Sequence, residues 1–118
     1  MTVADLQAAL SLTAFALPVP GVPVTGGYAG DLLSWVMGRA HAGDCWITIM
    51  SNQNVAAVAL MADTACVVLS EGVTPDEGLI ARCNQQGINL LGSEKSTYSL
   101  AGELGQLIIR NAGQEPAL

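Results

Sequence analysis

Basic residues are what this chain has least of. Arg39, Arg82, Lys95 and Arg110 are the only four, set against ten carboxylates for a net charge of −6. A surface that tracks a phosphate backbone needs clustered cations to displace counterions, so nucleic acid is excluded as a partner. Histidine occurs once, as His41 behind Arg39-Ala40 at an expected helix end, where it reads as a surface residue. Cysteine occurs three times, Cys45, Cys66 and Cys83, with no C-x-x-C among them. Without ligands at metal-binding spacing, no metal site is expected, and the cysteines read as small buried hydrophobes. G-x-S-x-G is absent, serine and histidine are nowhere usefully paired, and no two carboxylates share an apolar setting. No catalytic residue and no cofactor is expected. No apolar run approaches the ~20 residues of a membrane span, and the start MTVADLQ carries an acid where a signal peptide needs a base. A cytoplasmic protein with no membrane partner is therefore expected, and the chain has neither internal repeats nor low-complexity tracts.

What the chain does have is apolar material: 51% of its 118 residues, with only 12% charged. That length suits one domain around one core, taken as residues 1–112 with a loose tail over 113–118. So little polar surface is left to surround a monomer that a homodimer is expected. Thr2 and Asp5 form a capping arrangement ahead of Val3, Leu6, Ala9 and Leu10 at helical spacing. TAFAL (13–17) reads as a strand, and PVPGVPV as a connector whose prolines forbid central pairing, with a short edge strand expected at 22–25. Asp31 is expected to cap a helix from Leu32 to about Ala40. CWITIM (45–50) reads as a buried strand, followed by a helix over 53–61 with Ser51 or Asn52 as its cap. ACVVL (65–69) is the next strand. Thr74-Pro75-Asp76-Glu77 then has the order of a capping box with proline at the first helical position, and Gly87 stands where that helix needs a left-handed residue. INLL (88–91) reads as the last strand, and a final helix starts at Ser96 or Thr97 and runs to about Asn111, ended by Gly113. Strands alternating with helices predict an α/β fold with a mostly parallel, mixed sheet covered on both faces, the early prolines marking an antiparallel edge.

Ligands of such sheets collect beyond the carboxyl ends of the strands. Four loops qualify: 25–31, 51–54, 70–74 and 92–97. In the first, VTGGYAGD, the glycines allow close backbone approach and positive φ, although Gly26 and Gly27 are adjacent and do not make G-x-G-x-x-G. In the last, GSEKST, Glu94 stands where a Walker A loop needs the glycine before lysine, which argues against nucleotide triphosphate chemistry. Lys95, Ser96 and Thr97 at a helix N-terminus can still hold a small anion. The candidate binding set is Thr25, Gly26, Gly27, Tyr28, Asp31, Lys95, Ser96 and Thr97. The plainer reading makes Ser96 or Thr97 a helix cap and Lys95 a solvated charge.

The stretch PVTGGYAGDLLSWVMGRA, with WITIMSNQNVAAVALMADTACVVLSEGVTPDEGLIARCNQQGINLLGSEKSTYSLAGEL after it, resembles the DRTGG domain over about residues 20–108. That family is similar to the N-terminal domain of HPr kinase/phosphorylase, and also occurs between regulatory CBS domains and beside phosphate acetyltransferase domains. The resemblance implies an α/β fold of that type, homodimerisation, and a regulatory or ligand-sensing role alongside a metabolic enzyme. Thr25-Gly26-Gly27 lacks the Asp-Arg that precedes it in the family's namesake run, so no role tied to that arginine carries over.

Three readings follow. The first is a dimeric regulatory module that takes a small anionic or nucleotide-like ligand. The second is a phosphotransferase of the HPr serine kinase kind that uses Lys95 and Asp31. The third is a purely structural protein with Trp35, Met37 and Trp46 at a dimer surface, the monomer's own core being an equal alternative for both tryptophans.

Overall fold

The computed structural model describes residues 1–113, so most of the tail assigned to 113–118 lies outside the described residues. Ten elements follow in chain order: α1 (Val3–Leu10), β1 (Thr13–Ala16), β2 (Gly26–Ala29), α2 (Leu33–Arg39), β3 (Asp44–Thr48), α3 (Asn54–Ala62), β4 (Cys66–Leu69), α4 (Glu77–Gln86), β5 (Leu90–Gly92) and α5 (Thr97–Gly113). The strands form one mixed sheet in the order β1-β5-β4-β3-β2. β2 to β5 are parallel, each new strand settling beside the last, and β1 closes the far edge antiparallel to β5.

Strand periodicity splits the core in two. Cys45 and Ile47 of β3, Cys66 and Val68 of β4, and Leu91 of β5 face α1 and α5, where Val3, Leu6, Leu100 and Leu104 meet them. Trp46, Val67, Leu69 and Leu90 face the other way, against Val36 of α2, Val55 and Ala56 of α3, and Leu79 and Cys83 of α4. Strands buried on both faces need the unbroken apolar runs that the sequence carries. Fully burying one such Leu or Val contributes about 1.5–3 kcal/mol. Trp46 lies wholly inside this core, which decides for the core over a dimer surface at that residue.

Local signals were obeyed where nothing distant competed. Thr2 and Asp5 make the reciprocal capping box, at 3.2 and 2.9 Å, and Gly87 ends α4 at φ +74°. The Asn52 carboxamide accepts from the amide of Asn54 at 2.9 Å, ahead of α3. The Thr74-Glu77 box does not form: α4 begins at Glu77 behind an extended Asp76 with no side-chain cap, and the Asp76 amide donates to the carbonyl of Ser51. The edge strand expected at 22–25 is also corrected. That stretch contributes an isolated bridge between Thr2 and Pro23, and the strand is Gly26–Ala29 instead, parallel to β3. The antiparallel edge is β1, on the other side of the prolines.

Candidate functional site

Connections leave the carboxyl ends of β2, β3 and β4 toward helices on one face, but the connection from β5 leads to α5 on the other. Adjacent strands whose chains depart to opposite faces open a crevice between them, here between the ends of β4 and β5. Glu71 (φ +62°) and Gly72 (φ +70°) turn the chain sharply after β4. Their amides donate to the carbonyls of Lys95 (2.8 Å) and Ser93 (2.9 Å), which ties the two strand-end loops together. The wholly buried Ser70 shares a hydroxyl hydrogen bond of 2.6 Å with the half-buried Thr97. Thr97 also donates its backbone amide to the Glu71 carboxylate at 2.9 Å. A carboxylate thus sits at the amide end of α5, where the helix dipole favours negative charge.

The residues picked out by sequence divide over three places. Lys95, Ser96 and Thr97 come together at the start of α5. There Ser96 accepts from the amide of Ser99 at 3.1 Å, and Lys95 pairs with Glu103 at 2.9 Å. Asp31 lies at the same end of the sheet but three strands away, where its carboxylate accepts from the Thr48 hydroxyl (2.8 Å) and the Ile49 amide (2.9 Å). It does not cap α2, whose N-cap is Leu32 without a side-chain bond; the open amide after β3 holds it instead. Thr25, Gly26, Gly27 and Tyr28 belong to the edge strand and its amino end, so the expected turn is a strand. Its glycines serve packing: a β-carbon on Gly27 would come within 2.6 Å of Leu104, and one on Gly26 within 2.6 Å of the Asp44 carboxylate. The Tyr28 ring packs toward the opposite face, over Gly30. Ser70 and Glu71 stand in a loop that the sequence marked as a strand end, but their place in the crevice was missed. The available signal was a serine and an acid directly after the apolar run ACVVL.

Two of the hollows that adjoin these groups lie beside the sheet. One of about 270 Å³ lies beside the crevice, between Thr13, Phe15, Gly72, Thr74, Ser93 and Glu94. The other, about 340 Å³ and apolar, lies between Gly27 and Ala29 of β2 and Leu104, Gly105 and Ile108 of α5. Neither joins Lys95 to Asp31. No group of three or more His, Cys, Asp or Glu able to hold a metal occurs among the described residues. No described helix is long and apolar enough to cross a membrane.

A family model for the DRTGG domain matches residues 29–107, more than half of the chain. The chain belongs to the DRTGG domain family. The match starts just beyond Gly27, so Thr25-Gly26-Gly27 falls outside it. Among solved structures, this DRTGG domain resembles the CBS and DRTGG domains of the regulatory region of Clostridium perfringens pyrophosphatase, crystallised with the activator diadenosine tetraphosphate. The TM-score is 0.65 at 14% identity, covering 86% of this chain and 45% of that one, so the DRTGG domain here spans less than half of the pyrophosphatase region. A search of curated proteins finds no match.

Proposed function

We propose that this DRTGG domain is a non-catalytic regulatory module of the cytoplasm, active as a homodimer beside a metabolic enzyme, that senses a small anionic, nucleotide-like ligand at the β4–β5 crevice. The observation that carries this reading is the Glu71 carboxylate on the amide of Thr97. An amide end that holds a carboxylate has the geometry to hold a phosphate, whose oxygens are equally good acceptors. Ser70, Ser96 and Thr97 supply hydroxyls there, and Lys95 supplies a nearby cation once released from Glu103. Asp31 fixes the far part of the same rim, while Gly27 shapes the edge against α5 and Gly26 and Tyr28 pack beside it. The presence of a DRTGG domain in the activator-bound regulatory region of a pyrophosphatase supports a regulatory role.

Calorimetry with diadenosine tetraphosphate, ATP, AMP and pyrophosphate tests it. Binding by at least one is expected, strengthened roughly tenfold in Glu71→Gln because the resident negative charge is gone. Silence across the panel in both proteins would overturn the ligand-sensing role.

A further inference from the structure

Gly92 ends β5 without a side chain, and β1 lays Phe15, the only phenylalanine of the chain, against it: a β-carbon on Gly92 would come within 2.5 Å of the ring. Phe15 is half-buried, and its open part walls the hollow of about 270 Å³ at the end of β5. A volume just under the ~300–1,000 Å³ of pockets for drug-sized molecules admits one ring system and little more. The rim is polar. Thr13, Thr74 and Ser93 line it, and the Ser93 hydroxyl accepts from the Lys95 amide at 3.0 Å, which leaves its own proton free to donate. Glu94 adds a carboxylate set against Gly72, where φ is +70° and a β-carbon would come within 2.5 Å of a Glu94 oxygen.

Charge decides which part of a ligand this hollow can take. No lysine, arginine or histidine lines it, and Glu94 has no ion-pair partner among the described residues. Such a wall repels a phosphate and holds an uncharged group rich in donors. The phosphate belongs next door. Each strand-end turn gives one residue to either side: Gly72 and Glu94 line the hollow, while their chain neighbours Glu71 and Lys95 belong to the amide end of α5. Neighbouring residues stand ~3.8 Å apart, so one small molecule spans both sides. Glu94 falls between Ser93 at the hollow and Lys95 at the amide end, where the sugar lies between a base and its phosphate. A carboxylate is the acceptor that ribose hydroxyls take.

We infer that the hollow is the nucleoside half of the crevice site: the base of a ribonucleoside 5′-phosphate lies on Phe15, the ribose hydroxyls donate to the Glu94 carboxylate, and the phosphate takes the Thr97 amide from Glu71. This rests on the ligand-sensing reading above and narrows it from a small anion to a ribonucleotide. Glu94, the residue that breaks the Walker A pattern, becomes the one that selects the sugar.

Calorimetry of the full chain with AMP, 2′-deoxy-AMP, ribose 5-phosphate and inorganic phosphate tests it, with circular dichroism to confirm that each variant folds. AMP is expected to bind about tenfold tighter than ribose 5-phosphate, which lacks the base, and about tenfold tighter than 2′-deoxy-AMP. Phe15→Leu, which keeps an apolar side chain but offers no flat face, is expected to erase the first ratio and keep the second. Glu94→Ala is expected to erase the second and keep the first, and the ratios cancel the general gain in anion affinity that follows the loss of a negative charge. Phosphate binding without either ratio, or ratios that survive these variants, would overturn the nucleoside half and leave the ligand-sensing reading standing. Silence from every probe, diadenosine tetraphosphate included, would overturn both.

Discussion

Glu71 and Thr97 are 26 positions apart in sequence, yet the carboxylate of one caps the backbone amide of the other at 2.9 Å. The helix that crosses the second face of the sheet is thereby anchored by the loop of a neighbouring strand. Glu71 sits at φ +62°, which a side-chain-bearing residue adopts at a cost. Replacing it separates the two effects. Glu71→Ala keeps the unfavourable backbone and loses the cap, which is expected to cost about 1–2 kcal/mol in urea unfolding. Glu71→Gly loses the cap but relaxes the backbone, and is expected to cost less.

The hydroxyls of buried Ser70 and half-buried Thr97 satisfy each other. Removing one hydroxyl leaves the other unpaired, so Ser70→Ala or Thr97→Val alone is expected to destabilise by about 1–3 kcal/mol. The double variant is expected to cost less than the two single changes together. A double-mutant cycle in urea measures this coupling, and strict additivity would show that the hydroxyls act separately.

Gly27 lets α5 lie directly on the edge strand. A methyl group there would press on Leu104 at 2.6 Å, so Gly27→Ala is expected to lower stability by about 1–3 kcal/mol through overpacking. Leu104→Ala in the same chain is expected to recover part of that loss, because the space it vacates takes the new methyl. Thermal unfolding of the three variants decides it.

The thiols predict an alkaline limit. Burial pushes Cys83 up from 9.0 to about 11, and Cys45 is held well above its ordinary value, first by the thiol of Cys66 beside it and then by burial. A thiol whose folded pKa is raised contributes stability that is whole below pH 9, where both states keep the proton. The contribution falls as pH rises through the folded value, since only the unfolded chain ionises easily. The urea midpoint is therefore expected to hold to about pH 9 and drop between pH 9 and 11. Cys83→Ala should flatten part of that fall, and iodoacetamide at pH 8 should leave all three thiols of the native protein unmodified.

Acid acts through the other end of the chain. The Thr2 amide and hydroxyl hold the Asp5 carboxyl below its ordinary value, so its contribution is present above the unfolded pKa and lost as pH falls through the folded one. Asp5→Asn is expected to lower Tm at pH 7 and to narrow the gap from wild type at pH 2. A gap that stays constant with pH would remove the charge from the explanation.

Where a signal was local, it could be read in advance. Alternation of apolar runs with capped helices revealed the α/β order, Thr2 with Asp5 and Gly87 behaved as their neighbours dictate, and Lys95, Ser96 and Thr97 fell at a helix start. Gly26 and Gly27 read as a turn because glycine weakens strands; what requires glycine in the strand lies in Asp44 and Leu104, 18 and 77 positions away, and no local pattern carries it. Asp31 fails as a cap for the same kind of reason, its carboxylate drawn off by the Ile49 amide of another loop. Glu71 had the composition of an ordinary surface acid until the topology set α5 beside it.

Asn89, buried next to β5, grips both the amide and the carbonyl of Val19 (3.0 and 2.8 Å) and the carbonyl of Ala65 (3.1 Å). It thereby clasps the proline-rich connector that carries the chain from one margin of the sheet to the opposite one. The pairing that this clasp serves, β1 on β5, joins the two stretches of strand most widely separated in sequence, and closure of so long a loop is entropically the slowest to be repaid. The opening sixteen residues are therefore expected to act as a latch thrown after the four parallel strands have assembled, and stopped-flow refolding of Asn89→Ala is expected to show that final step delayed more than the formation of the body it fastens.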